Sequence, residues 1–265
     1  MGATAGGEKI LPGRDHSRGP GSLALIGIGP GLPNHMTARA REALAEADVV
    51  IGYKTYIKLI EDLLEEHQYV EGTGMRKEVE RAARAVELAE QGYQVAVVSS
   101  GDPGIYGMAG VVLEVLHNRQ DTQGIQVEVV PGVSAANAAA AVAGAPLMHD
   151  TAYISLSDLL TPRELIAKRV ELAAQGDFVI ALYNPKSKGR PDFINQVREL
   201  LLKHRKPETP VAVVRNAGRE GESLVLSTLA AFTQEEIDMF TTVIIGNSQS
   251  YVRNGHLITP RGYQL

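Results

Sequence analysis

"VVSSGDPGIYGMAG", residues 97–110, decides how this chain is read. It opens as a buried β-strand, breaks on Ser100-Gly101-Asp102-Pro103-Gly104, and resumes as an apolar helix expected to start near Ile105. A strand passing to a helix through a glycine-rich loop is the joint of a βα unit, and in open α/β sheets ligands sit outside the carboxyl ends of the strands. Asp102 has three readings at such a joint: a catalytic acid, a cap accepting from backbone N–H groups, or part of a ligand-binding turn.

Outward from this joint the same alternation runs almost end to end. Strands are expected at 22–29, 48–53, 93–100 and 125–130, and in the second half at 152–157, 177–184, 210–216 and 241–247. Helical spacing marks 37–47, with a start near Thr37, and 78–92, where Val79, Ala82, Ala83, Val86 and Ala89 share one face and Gly92 ends the helix. The run 134–146 is nearly all alanine, so its helix can approach a neighbour closely. In the second half, Thr161-Pro162-Arg163-Glu164 has capping-box spacing with proline at the first helical position, 192–204 reads as helix, and a second capping box spans Thr233 to Glu236. The class is α/β with a largely parallel sheet. Two α/β domains are expected, over 22–147 and 148–265, with the boundary in the Pro146 region, after a disordered leader over 1–21.

Bulk composition narrows the function. The 265 residues can bury a large core, and no apolar run approaches the roughly 20 residues needed to cross a bilayer. A net charge of −5 argues against a general nucleic-acid binder. With no cysteine, disulfides, thiolate zinc sites and cysteine-held iron–sulfur clusters are excluded in this chain. A reducing cytoplasm fits that composition, and residues 1–21 lack the apolar core of a secretory signal. No metal site is expected.

Gly27-Ile28-Gly29-Pro30-Gly31 follows the first strand and invites a dinucleotide reading. The third glycine of G-x-G-x-x-G would fall on Leu32, two prolines oppose an immediate helix, and the second strand closes on Gly52-Tyr53 without the acid that would hold a ribose. Motifs of P-loop hydrolases, zinc proteases and α/β-hydrolases are absent from the sequence. His149 and His256 are scattered histidines, each a conceivable base. Basic residues gather at Arg76-Lys77 and between Lys186 and Arg190, where arginine forks and lysine charges in a cleft would suit a polycarboxylate.

In order, GIGPG (27–31), SSGDPGIYG (99–107), VPGVSAANAAAAVAGAPL (130–147), ALYNPKSKGR (181–190), VVRNAGREGE (213–222) and TTVIIGNSQS (241–250) resemble the tetrapyrrole (precorrin) methyltransferase family over about residues 22–262. GYKTYIKLI, GTGMRKEVERA, LYNPKSKGR and IIGNSQS look most like those members that methylate carbon 17 of precorrin-3B or cobalt-factor III and contract the macrocycle to precorrin-4 or its cobalt form. The resemblance implies two α/β domains with a cleft between them, S-adenosylmethionine bound in the cleft and S-adenosylhomocysteine as product, a polycarboxylate tetrapyrrole substrate and a homodimer. Carried over position by position, Pro30, Gly101, Asp102, Ile105, Tyr106, Ser134 and Ala135 would line the cofactor site from the first domain. Tyr183, Asn184, Asn216, Ala217, Thr241 and Thr242 would line it from the second, and Arg76, Lys77, Lys186 and Arg190 would meet the substrate. Ring contraction moves protons, and Tyr53, Lys54, Tyr106 and His149 are the candidate acids and bases. The competing readings are methylation at another ring carbon, a nucleotide-dependent oxidoreductase built on GIGPG, and a non-catalytic tetrapyrrole carrier.

Overall fold

The computed structural model describes residues 11, 19–119, 122 and 124–264. Most of the expected leader lies outside the described residues; of its described part, Leu11 packs against the first core and the Gly21 N–H donates to the Ala89 carbonyl. The chain divides into two compact units between Ser134 and Ala135.

The first unit contains β1 (Ser22–Gly27), α1 (Ala38–Ala45), β2 (Val49–Tyr53), α2 (Lys54–Lys58), β3 (Tyr69–Thr73), α3 (Glu78–Glu90), β4 (Gln94–Ser99), α4 (Ala109–His117) and β5 (Gln126–Val130). The strands form one parallel sheet in the order β3-β2-β4-β1-β5. β3 has no counterpart among the expected strands. Alternate residues feed opposite faces: Leu23, Leu25, Val95 and Val97 pack under α3 and α4, whereas Ile26, Ala96 and Val98 meet α1. Both faces being covered explains why these strands read as continuous apolar runs. Thr37 caps α1 by accepting from the Ala40 N–H, and Gly92 follows α3 at φ +80°, as expected. Val79 is instead 66% exposed; the buried stripe of α3 runs through Arg81, Ala82, Ala85, Val86, Leu88 and Ala89.

From adjacent β1 and β4 the chain departs in opposite directions: α1 carries it past β4 to β2, and α4 carries it past β1 to β5. The two crossovers lie on opposite faces, so the ends of β1 and β4 flank a topological switch point.

The second unit contains α5 (Ala135–Ala143), β6 (Gly144–Ala145), β7 (Thr151–Ser155), α6 (Arg163–Gln175), β8 (Val179–Tyr183), α7 (Phe193–Leu202), β9 (Pro210–Arg215), β10 (Ser223–Thr228), β11 (Thr241–Ile245), β12 (Tyr251–Arg253) and β13 (His256–Ile258). Its main sheet runs β10-β9-β11-β8-β7, and only β7 and β8 are parallel. The expectation of a largely parallel sheet therefore holds for the first unit alone: residues 216–222 return directly from β9 to β10 as a hairpin, which only antiparallel strands allow. α6 and α7 cover one face, and α5 covers the other with Ala139, Ala140 and Ala143 against Val179, Ala212, Val214 and Ile244. The boundary consequently falls before α5 rather than at 147/148, because α5 packs on the second sheet and β6 pairs with β13.

Two helix starts also move. α6 begins at Arg163 after Pro162 without a side-chain cap, so Thr161 does not act as one. The Thr233–Glu236 pattern opens no α-helix; Phe232–Gln234 is a single 3₁₀ turn, pinned by the fully buried Phe232, and the Thr233 hydroxyl accepts from Arg198.

Candidate functional site

In the first unit every candidate residue follows a strand, at the carboxyl edge of the parallel sheet: Pro30 after β1, Tyr53 and Lys54 at the end of β2, Arg76 and Lys77 after β3, residues 101–106 after β4, and Ser134 after β5. The glycine loops are joined. Gly29 and Gly101 form an isolated bridge, the Gly101 N–H donating to the Gly29 carbonyl at 2.7 Å and the Gly29 N–H to the Gly101 carbonyl at 3.1 Å. A Cβ at Gly27 would lie 2.6 Å from the Gly101 oxygen, and one at Gly132 only 2.2 Å from that same oxygen. Three strand ends thus meet through backbone alone at the switch point, and only glycine fits such an approach.

Asp102 binds the junction together. Its Oδ1 accepts from the Gly104 N–H at 2.8 Å and its Oδ2 from the Gly132 N–H at 3.1 Å. Of the three readings, the observed bonds are those of a carboxylate accepting from backbone N–H groups. The loop closes further where the Ser99 hydroxyl accepts from the Met108 N–H and the Pro103 carbonyl accepts from the Ala109 N–H. With residues 102–108 wound into this turn, α4 starts at Ala109 and not near Ile105. Tyr106, at the tip, sits at φ +54° and is 56% exposed. A non-glycine residue held in the left-handed region is strained, and such strain concentrates at ligand sites.

Tyr53 packs edge-on against Tyr56, with ring centroids 5.2 Å apart. Met75, Arg76 and Lys77 are exposed in the turn after β3, with Arg76 at φ +61° and Lys77 paired to Glu80 at 2.8 Å. Beneath that turn is a residue that sequence reasoning missed. Arg81 is only 4% exposed, donating from Nε to the Thr73 hydroxyl at 2.7 Å, from Nη2 to the Gly74 carbonyl at 3.1 Å and from Nη1 to the Met108 sulfur at 3.3 Å. Burial holds its guanidinium below the usual arginine range, opposed by the nearby Glu78, Tyr56 and Tyr53. The available signal was its spacing, since Arg81, Ala85 and Leu88 fall on one helical stripe.

In the second unit one edge of the main sheet collects the ends of β7, β8 and β9 and the start of β11, because Ser155 pairs with Tyr183 and Arg215 with Thr241. Tyr183, Asn184, Asn216, Ala217, Thr241 and Thr242 all lie there. The Tyr183 hydroxyl accepts from the Ala136 N–H at 3.0 Å, and its ring tilts against Tyr153. Ala135, predicted with the first domain, opens α5 in this unit. Asn184 and Asn216 both adopt left-handed backbone, at φ +49° and +52°. The Asn184 amide donates to the Ser155 hydroxyl at 3.0 Å. Thr241 and Thr242 are buried, and the Thr241 hydroxyl is engaged with Asp238.

Two expectations are corrected here. Arg190 is no solvent-facing substrate cation: it is 4% exposed and cinches its own loop, donating to the Asn184 carbonyl at 2.7 Å and the Pro185 carbonyl at 3.2 Å, 3.4 Å from Asp158 and stacked over Phe193. Burial lowers its basicity, while the Arg163 guanidinium and further contacts hold the Asp158 carboxyl below the usual range. Lys186, by contrast, remains partly exposed. His149 precedes β7 and therefore lies at the opposite edge of the sheet from Tyr183 and Asn184, its Nδ1 accepting from the Asp150 N–H.

The loops at the carboxyl edge of the first, doubly wound sheet lie at a topological switch point, where such sheets bind their ligands. The chain belongs to the Tetrapyrrole (Corrin/Porphyrin) Methylases, whose family description matches residues 22–233. It is 52% identical to the cobalt-factor III methyltransferase of Priestia megaterium over 92% of this chain, though it spans only 45% of that protein's length. It is 48% identical to the probable cobalt-factor III C(17)-methyltransferase of Salmonella typhimurium, over 92% of this chain and all of that one. Among solved structures, the methyltransferase CobJ superposes with a TM-score of 0.87 at 38% identity, covering 91% of this chain and all of that one. A uroporphyrin-III C-methyltransferase from Thermus thermophilus, complexed with S-adenosyl homocysteine, gives 0.66 at 25% identity over 85% of this chain and 92% of that one.

Proposed function

We propose that this chain is an S-adenosylmethionine-dependent C-methyltransferase of cobalamin biosynthesis that methylates carbon 17 of cobalt-factor III, with contraction of the macrocycle. The observation that carries the reading is the Gly27–Gly101–Gly132 junction at the switch point, in the family and beside the relatives just described. Cobalt-factor III is favoured over metal-free precorrin-3B because it is named in the two most identical of these relatives.

The residues present fit the cofactor. The junction strips side chains from the point where strand ends meet, and Gly104 and Tyr106 are exposed beside it. In this reading Pro30, Gly101, Ile105, Tyr106 and Ser134 contact the cofactor in the first unit, and Ala135, Tyr183, Asn184, Asn216, Ala217 and Thr242 in the second. Asp102 and Thr241 shape their turns, their carboxylate and hydroxyl being already bonded.

The cofactor supplies a methyl group on a positively charged sulfur, open to in-line displacement by an electron-rich ring carbon. No side chain has to act as nucleophile. The chain holds donor and acceptor in near-attack geometry, an effect worth up to about 7–11 kcal/mol when orientation is ideal. Arg76, Lys77 and Lys186 pair with the carboxylates of the macrocycle. Tyr53, Lys54 and Tyr106 stand at the same edge as the glycine junction and are the groups able to move a proton during contraction. His149, at the far edge of its own sheet, leaves that set.

A homodimer in the cytoplasm completes the proposal; no helix of the described residues is long and apolar enough to cross a membrane. Light scattering at twice the chain mass is the expected result for the dimer. Titration calorimetry with S-adenosylhomocysteine tests the cofactor assignment: micromolar binding is expected, and a folded protein that gives no heat at any ligand concentration used overturns it.

A further inference from the structure

Arg81 is a charge in an unusual setting. It lies on the buried stripe of α3, and among the described residues its guanidinium has no salt-bridge partner. Taking an unpaired guanidinium out of water is costly, and an aliphatic side chain would fill the same space without that cost. What an aliphatic residue cannot supply is the rigid fork. Two of its bonds seize the Thr73–Gly74 turn, which leads into the exposed Arg76-Lys77 pair; the third reaches Met108, where the Gly101–Tyr106 loop rejoins α4. One buried side chain therefore spans the loop assigned to the cofactor and the turn assigned to the substrate carboxylates.

We propose that Arg81 is a positioning residue that fixes the basic 73–77 turn against the 101–108 loop, setting where the carboxylates of the tetrapyrrole dock relative to the methyl donor. This rests on the methyltransferase reading above. The two loops depend on Arg81 unequally. The 101–108 loop has other fasteners: the Gly29–Gly101 bridge, both oxygens of Asp102 and the Ser99–Met108 bond. At the turn, the Thr73 hydroxyl adds a long bond to the Gly52 carbonyl, at 3.5 Å, and a Cβ at Gly74 would meet nothing within 4 Å. Loss of the fork accordingly loosens the substrate side first.

The test compares Arg81→Met and Arg81→Lys with the unaltered protein in two equilibrium titrations: S-adenosylhomocysteine by calorimetry and cobalt-factor III by its absorbance. Arg81→Met is expected to weaken cobalt-factor III binding by about tenfold and S-adenosylhomocysteine binding by less than about threefold, with kcat falling as well as KM rising. Arg81→Lys, which keeps charge but not the fork, is expected to stay about threefold weaker than the unaltered protein for the tetrapyrrole. Cobalt-factor III affinity unchanged in Arg81→Met overturns the proposal. So does equal weakening of both ligands, which general loosening gives, or full restoration by lysine, which charge alone gives. Should Arg81→Met not fold, Thr73→Val removes one acceptor of the fork; it is expected to weaken tetrapyrrole binding, and an unchanged value also overturns the proposal. Failure of the unaltered protein to bind S-adenosylhomocysteine would count against the methyltransferase reading instead.

Discussion

The glycine junction of the first unit and the strand-end loops of the second are built by different means. In the first, three backbones converge where side chains have been removed, at Gly27, Gly101 and Gly132, with Asp102 stitching the gap. In the second, side chains do the fastening: Arg190 cinches residues 184–190, and asparagine holds left-handed backbone at 184 and 216. A parallel sheet with a switch point offers a crevice that needs only to be kept open, whereas a mainly antiparallel sheet offers none and its loops must be tied into shape. The first kind of loop fails by crowding. The second fails by loss of a tie.

Crowding should cost most. Gly132→Ala is expected to destabilise the protein by about 3 kcal/mol in urea unfolding, because the new methyl meets the Gly101 oxygen and neither backbone can retreat. A loss below about 0.5 kcal/mol would show that the junction yields, and would dissolve the contrast between the units. Arg190→Met keeps bulk but removes the tie, with an expected cost of about 2 kcal/mol. The comparison sharpens if the same variant lowers cofactor affinity while leaving tetrapyrrole affinity nearly intact, since the bonds lost are to the backbone beside Asn184. Asp102→Ala leaves two backbone donors without their acceptor, for about 1–2 kcal/mol and a measurable loss of S-adenosylhomocysteine affinity by calorimetry. Retained affinity would show that the turn keeps its binding shape without the Asp102 carboxylate.

The smallest effect concerns acid. The Asp158 carboxyl, held by Arg163 and near Arg190, titrates below its ordinary value of 3.8. A depressed carboxyl contributes stability above its unfolded pKa, so the contribution is complete above about pH 4 and is lost progressively as pH falls from there through the lower folded value. Thermal unfolding across that window should fall more steeply for the unaltered protein than for Asp158→Asn, and parallel curves would separate Asp158 from the stability of the loop.

The sequence showed what backbone geometry demands and hid what context decides. GIGPG and SSGDPG were legible as glycine loops at strand ends because a sharp backbone turn requires glycine whatever surrounds it, and α1 was legible from Thr37 because its cap is local. Strand direction in the second unit was not, since nothing in the apolar runs of β9 and β11 says which neighbour each will meet. Helix α5 was drawn with the first half because the boundary was placed in the Pro146 region, yet its small residues suit the second sheet. Arg81 was not singled out and Arg190 was placed against the substrate, because a guanidinium looks alike in a string whether water or carbonyl oxygens surround it. Only the spacing of Arg81 with Ala85 and Leu88 pointed inward.

The central claim is methyl transfer to one ring carbon, and it is tested most directly by product analysis. The protein is incubated with cobalt-factor III and S-adenosylmethionine carrying a ¹³C-labelled methyl group, and the macrocycle is examined by mass spectrometry and NMR. One added labelled methyl at carbon 17 is the predicted result. A methyl at another carbon, or an unaltered macrocycle recovered from protein that binds both ligands, would contradict the account.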